Sequence, residues 1–362
     1  MRSEARRIGI ATAALACALA VVVLLAFGRN ALLDFADQRA ADEAAAAAAA
    51  ASVGVQGLDP GATLAAEPDS IDGEYALFSD RVVKLFRTDE ATIEACASAQ
   101  AALFSVVPEG VNRYLMIAPT RASFEPSLAA QTQDEFAAID QVYASMPAEV
   151  TCIDVASVLS EHAQDYLYYR TELALTSEGA YWASRALIDA CGAAGIDISE
   201  YRCDDRRTFR GTFATLWNLD TPDDLVETYV HDDLTNKALI TVRTDDGALV
   251  DTYEALAIAS SRGGNYAALG TDVAQAVIEG DGGNDRVIMV VGTSDARALS
   301  TWLIASFDRI VYVSQDWTTL DATQFQALFS EYGVTDFLIF ESADDLSLGN
   351  GNSSLLELAG RE

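Results

Sequence analysis

The chain has 362 residues, with 55 acidic against 23 basic side chains and a formal net charge of −32. That excess argues against nucleic acid and anionic lipid as partners. Two histidines, His162 and His231, exclude a histidine-rich metal site. Hydrophobic residues make up 51 % of the chain, enough for a sizeable core.

Arg2, Arg6 and Arg7 precede an uncharged, almost wholly apolar run from Ile8 to Phe27. At about 1.5 Å per residue the run reaches about 30 Å, the thickness of a bilayer core. The basic flank predicts an N-terminus in the cytoplasm. A cleaved signal peptide is the rival reading, with a shorter apolar region and a small-x-small cleavage site. Here the run ends in Phe27-Gly28-Arg29-Asn30, and Cys17 lies within it. Residues 1–28 therefore read as an uncleaved transmembrane anchor that places the rest of the chain outside the cytoplasm. Residues 29–70 read as stalk and linker, with alanine-rich Ala40 to Ala51 favouring helix and Ser52 to Asp72 rich in Gly, Pro and small residues.

Residues 71–362 read as one α/β domain. Ala91 to Phe104 has helical spacing, and Tyr114 to Ala118 is a short apolar strand ended by Pro119. Phe136 to Met146 reads as a helix and Val150 to Val155 as a strand. Ser177 to Ala194 reads as a long amphipathic helix, capped by Ser177 and stopped by Gly195. Leu239 to Val242 is a weaker strand. Arg286 to Val291, Arg309 to Val313 and Phe337 to Phe340 read as strands, alternating with helices at Ala296 to Phe307 and Thr323 to Tyr332. Such alternation predicts a parallel sheet covered on both faces. Cys96, Cys152, Cys191 and Cys203 form an even set that an oxidising compartment would oxidise, and Cys191–Cys203 is the pair closest in sequence.

Ser294 follows a strand and opens a helix, in the run Gly292-Thr293-Ser294. Open α/β sheets place their sites beyond the carboxyl ends of strands. Backbone N–H groups at a helix N-terminus can also stabilise an oxyanion. The alternative is that Ser294 only caps the helix.

The segment Tyr168-Tyr169-Arg170-Thr171-Glu172-Leu173-Ala174-Leu175-Thr176-Ser177-Glu178-Gly179-Ala180-Tyr181 resembles the signature of the DHHW proteins. These are similar to the alginate acetylation proteins of the bacterial envelope, within the SGNH-hydrolase-like class. Four other stretches agree in order. They are Tyr114 to Thr120, Cys152 to Val155, Phe209-Arg210-Gly211-Thr212, and Val287 to Leu299 with its serine. The resemblance implies an α/β, parallel-sheet, SGNH-hydrolase-like (flavodoxin-like) domain. It also implies a cleft drawing on Thr120, Arg121, Arg170, Gly292 and Thr293.

In active relatives the motif's Asp orients a His that deprotonates the Ser. Here Glu172 stands at the Asp position, Leu173 and Ala174 at the two His positions, and Leu175 at the Trp. Thr293 replaces the Asp before the serine. Ser294 alone of the three catalytic roles survives, and a serine hydroxyl without a base is a weak nucleophile. His162 and His231 read as surface residues. The resemblance thus implies a catalytically degenerate envelope protein that binds a cell-surface polysaccharide or an envelope partner protein, with no cofactor and no metal. The alternative is an esterase or O-acetyltransferase acting on cell-surface polysaccharide, with Ser294 as nucleophile.

Overall fold

The computed structural model describes residues 66–362 apart from 222, 235, 245–246, 256–268, 270–272, 349–351 and 362. The expected anchor and stalk lie outside the described residues up to position 65. Among the described residues no helix is long and apolar enough to cross a membrane.

Short strands open the described chain: β1 (Ser70–Asp72), β2 (Tyr75–Leu77) and β3 (Val82–Lys84), paired as one small antiparallel sheet. Then come α1 (Glu90–Phe104), β4 (Asn112–Ala118), α2 (Glu135–Ala144), β5 (Val150–Ile153), α3 (Val155–Glu161) and α4 (Ser177–Ala190). A mostly antiparallel insertion follows: β6 (Arg202–Phe209), α5 (Thr212–Leu216), β7 (Asp224–Val230), β8 (Asn236–Thr244), β9 (Gly247–Ala255) and β10 (Val273–Glu279). The chain closes with β11 (Val287–Gly292), α6 (Ser294–Trp302), β12 (Arg309–Ser314), α7 (Ala322–Tyr332), β13 (Asp336–Ser342), α8 (Ala343–Leu348) and α9 (Asn352–Leu358).

The main sheet has eight strands in the order β5-β4-β13-β11-β12-β10-β8-β9. The first five are mutually parallel, as their near-continuous apolar sequences require of strands covered on both faces. The last three add antiparallel neighbours. The expected parallel sheet is found in the first five strands, and antiparallel strands extend it. β13 lies between β4 and β11 rather than at an edge, which departs from the flavodoxin order. Alternate residues feed two cores. Met116, Val290, Tyr312 and Phe340 pack on the side of α4 and α6, while Leu115, Met289, Val313 and Ile339 pack on the side of α1, α2 and α7. At the amino end of the sheet Asp336, fully buried, takes hydrogen bonds from Arg286 (2.6 Å) and Asn112 (3.0 Å) and so pins β11, β13 and β4 in register.

Part of the acidic excess is spent on helix starts. Asp89, Asp134, Asp154 and Asp321 each accept a backbone N–H in the first turn of α1, α2, α3 and α7. The expected strand at Val150 to Val155 is cut at Ile153 because Asp154 caps α3. The cap of α4 is Thr176 rather than Ser177, whose hydroxyl donates to the Glu227 carbonyl (2.6 Å). That helix ends at Ala190, short of Ala194, where Gly192 turns left-handed with φ +63°.

No disulfide joins the four described cysteines, which corrects the expectation of at least one. Their elements hold them apart: Cys96 in α1, Cys152 in β5, Cys191 at the end of α4 and Cys203 in β6. Cys191 instead contacts the Ile188 carbonyl (3.3 Å). An even count states what redox chemistry permits, not which Cβ atoms meet.

Candidate functional site

The motif segment folds as a tight loop feeding α4. Tyr168 and Leu175 form an antiparallel bridge, and the Tyr169 N–H donates to the Ala174 carbonyl (3.1 Å). Glu172 and Leu173 sit between these contacts at the tip. The loop is clamped by Asp224, a fully buried carboxylate at the start of β7. Asp224 accepts from the N–H groups of Arg170 (2.9 Å) and Thr171 (2.7 Å) and from the hydroxyls of Thr171 and Tyr166. The Thr171 hydroxyl in turn accepts from the Gly211 N–H (2.8 Å). A Cβ on Gly211 would lie 2.0 Å from the Thr171 carbonyl oxygen, so only glycine fits this crossing of the two chain segments.

Glu172 is buried, and both its carboxylate oxygens are used by backbone. Oε1 accepts from the Leu173 N–H (3.1 Å) and Oε2 from the Thr212 N–H (3.0 Å) at the start of α5. It ties two loops together and does not orient an imidazole, since Ala174 stands at the base position.

A narrow cleft opens beside this loop. Its walls come from the carboxyl ends of three neighbouring parallel strands: Thr120 and Arg121 after β4, Ser342 at the end of β13 and Asp344 after it, and Asp295 after β11. Tyr168, Glu172, Leu173 and Ala174 close one side and Lys84 of β3 another. This is the crevice that open α/β sheets use for ligands. Thr120 is held by Glu135 through its N–H and its hydroxyl, both at 2.6 Å. Burial pushes the Glu135 carboxyl above its usual range, and the Thr120 hydrogen bonds pull against that. Arg121 donates to the Tyr168 carbonyl (2.9 Å) and pairs with Glu125 (3.3 Å). Lys84 pairs with Asp344 (2.7 Å).

Asp295 is the residue that sequence reasoning missed. It is the second residue of α6, buried, and its Oδ1 accepts from the Leu175 N–H (3.0 Å) across 120 positions of chain. Burial lifts its carboxyl to about 6; the Leu175 hydrogen bond and the Arg297 charge oppose this, and the Glu172 charge adds to it. Ser294, by contrast, does not line the cleft. A helix turns about 100° per residue, so neighbouring side chains cannot share one direction. Thr293 occupies the cap position without a side-chain hydrogen bond, and Ser294 is the first helical residue; neither acts as a side-chain cap. Gly292 lets β11 lie close to both β13 and α6: a Cβ there would meet the Phe340 carbonyl oxygen at 2.1 Å and the Ala296 methyl at 2.6 Å.

The structure therefore brings Thr120, Arg121, Glu172 and Ala174 into one cleft and leaves Ser294, Thr293 and Gly292 outside its walls. Arg170 is also outside; it is buried, 5.4 Å from the Tyr166 ring. The histidines are engaged elsewhere. His162 stacks on Trp182 (3.4 Å between ring centroids) and pairs with Asp165 (2.8 Å). His231 packs edge-on against Tyr201 and takes the Asp233 N–H. Among the described residues nothing hydrogen-bonds the Ser294 hydroxyl.

The family model described as DHHW protein matches residues 75–314. The crystal structure of a DHHW family protein from Eubacterium siraeum DSM 15702 superposes with a TM-score of 0.66 at 18 % identity, covering 84 % of this chain and 99 % of that one. PatB1 from Bacillus cereus, solved with a sulfonyl adduct, gives a TM-score of 0.56 at 15 % identity, covering 76 % of this chain and 97 % of that one. These two likenesses show a shared fold. No curated protein matches the chain.

Proposed function

Because the chain belongs to the DHHW protein family, we propose that it is a catalytically silent member that binds a glycan of the cell envelope through the cleft at the carboxyl ends of β4, β13 and β11. The observation that carries this reading is that Ala174, at the position of the family's base, lines the cleft, while Ser294 does not. A methyl group cannot accept a proton, and an unactivated serine outside the cleft gains nothing from it. The cleft nevertheless keeps fixed hydrogen-bonding groups on several walls, among them Arg121, Asp295 and the Thr120 hydroxyl, alongside the Tyr168 ring. Convergent polar groups around a partly apolar concavity suit a sugar, which offers hydroxyls at its edge and C–H groups on its faces.

The test is chemical. Full-length protein treated with a fluorophosphonate probe is expected to show no labelling that depends on Ser294, and no turnover of a small acetyl ester above that of Ser294→Ala. Labelling and turnover that both vanish in Ser294→Ala would refute the silent reading.

We also infer that the protein is a single-pass membrane protein with the domain outside the cytoplasm. The arginine cluster before the apolar run Ile8 to Phe27 supports this. Protease added to intact cells is expected to remove the domain; a domain protected in intact cells, or a mature N-terminus beginning after residue 28, would overturn it.

A further inference from the structure

Beside the cleft three aromatic side chains gather on one surface. Phe213 lies on α5 and Trp217, four residues on, is the cap at its carboxyl end, so the two side chains fall on one side. Their rings are nearly parallel, with centroids 5.9 Å apart and 16° between planes. Tyr75 of β2 joins them at 5.4 Å from Phe213 and 4.8 Å from Trp217. All three are half-buried. The Trp217 indole N–H donates to Asp72 (3.1 Å), which fixes the ring's orientation. Leu216, 67 % exposed, and Ile71, 45 % exposed, flank the group.

This surface continues the cleft. Tyr75 is the cross-strand partner of Lys84, a cleft wall residue. Thr212, next to Phe213, holds the Glu172 carboxylate in the cleft. Leu173, 37 % exposed, lies on the cleft wall beside that carboxylate. A ligand longer than the cleft therefore runs from hydrogen-bonding walls onto flat aromatic rings.

Resting on the glycan-binding reading of the cleft, we propose that Tyr75, Phe213 and Trp217 form a sugar-stacking subsite for a neutral or N-acylated hexose chain. The apolar C–H face of a pyranose ring buries against an aromatic face while its hydroxyls project sideways to water or to the cleft. Oriented, partly exposed rings give that contact at small conformational cost, because the indole is already held by Asp72. The charge hydrogen-bonded to the platform is the Asp72 carboxylate, Lys84 opposite Tyr75 is paired with Asp344, and the chain's net charge is −32. A polyuronate would be repelled, and so would an anionic membrane surface.

Binding is measured by calorimetry on the full-length protein in a polyoxyethylene detergent, with the hexamers of N-acetylglucosamine and of glucose as probes and an alginate oligomer as the anionic comparison. Loss of about 50–60 Å² of ring contact corresponds to about a tenfold rise in Kd. Trp217→Ala and Phe213→Ala are expected to weaken a neutral hexamer about tenfold or more. Trp217→Phe should keep most of the affinity, and Trp317→Ala, a half-exposed tryptophan beyond β12, should leave it unchanged. Circular dichroism establishes that each variant is folded.

If the wild type binds a hexamer, Arg121→Ala abolishes binding, and both platform variants stay within twofold of wild type, the platform proposal is overturned while the cleft reading stands. Binding of no hexamer and no alginate overturns both. Alginate bound more tightly than the neutral hexamers overturns the subsite's assigned chemistry. Self-association that disappears in Trp217→Ala, with hexamer binding unaffected, shows the patch to be a protein contact and likewise overturns it.

Discussion

Replacing Asp295 by Asn tests the buried carboxyl that faces the cleft. The substitution keeps the shape, and an amide oxygen can still accept from the Leu175 N–H at 3.0 Å. In the wild type, burial raises the carboxyl from 3.8 to about 6. The folded protein therefore holds this proton more tightly than the unfolded chain does. The associated stability is complete below about pH 4 and is lost as pH rises through about 6. At neutral pH, ionising the buried group costs on the order of 3 kcal/mol, a figure that already includes the opposing Leu175 hydrogen bond and Arg297 charge. Asn carries no such cost. Urea unfolding of the full-length protein and of Asp295→Asn should give similar stabilities at pH 4. The variant should then gain progressively up to about pH 6.5, reaching about 2–3 kcal/mol, and hold that lead at pH 7.5. Parallel pH profiles for the two proteins would show that Asp295 titrates at its ordinary value, and the argument that the cleft wall desolvates it would fail.

Asp224→Ala would strip four donors of their shared acceptor in a site with no water access. We expect a loss on the order of 3–5 kcal/mol in chemical denaturation; a loss below about 1 kcal/mol would mean that the motif loop holds its shape without the clamp. Gly211→Ala places a methyl 2.0 Å from the Thr171 carbonyl oxygen, so it should cost about 2 kcal/mol or more and speed proteolytic cutting at the Glu172–Leu173 tip. An unchanged melting temperature and cutting rate would contradict the close crossing of the two segments.

The sequence by itself determined the strands of the sheet centre and the order of the motifs. Apolar runs such as those at Tyr114, Val287, Arg309 and Phe337 can satisfy their side chains only between two covering layers, and all became parallel strands. Helix ends were legible where a local device made them: Gly333, at φ +65°, ends α7 just after Tyr332. The insertion was legible only at Leu239 to Val242, which lies inside β8. β6 reads Arg-Cys-Asp-Asp-Arg-Arg-Thr-Phe and lacks apolar alternation, and it is a strand because β7 supplies the partner for its backbone. The place of β13 between β4 and β11 likewise follows from packing across more than two hundred residues.

The site divides the same way. The loss of a base at Ala174 was legible from residue identity alone, because no conformation gives a methyl group a lone pair. Which of Thr293, Ser294 and Asp295 faces the cleft was not, since a rotation of about 100° per residue separates them and only the seating of α6 against the motif loop selects one. Tertiary structure made the same kind of choice for Glu172, whose carboxylate found the Thr212 amide forty residues away and became a tie between loops. Local sequence sets what each side chain can do chemically. The distances that bring two such groups together are fixed by the sum of the packing, which no local pattern contains.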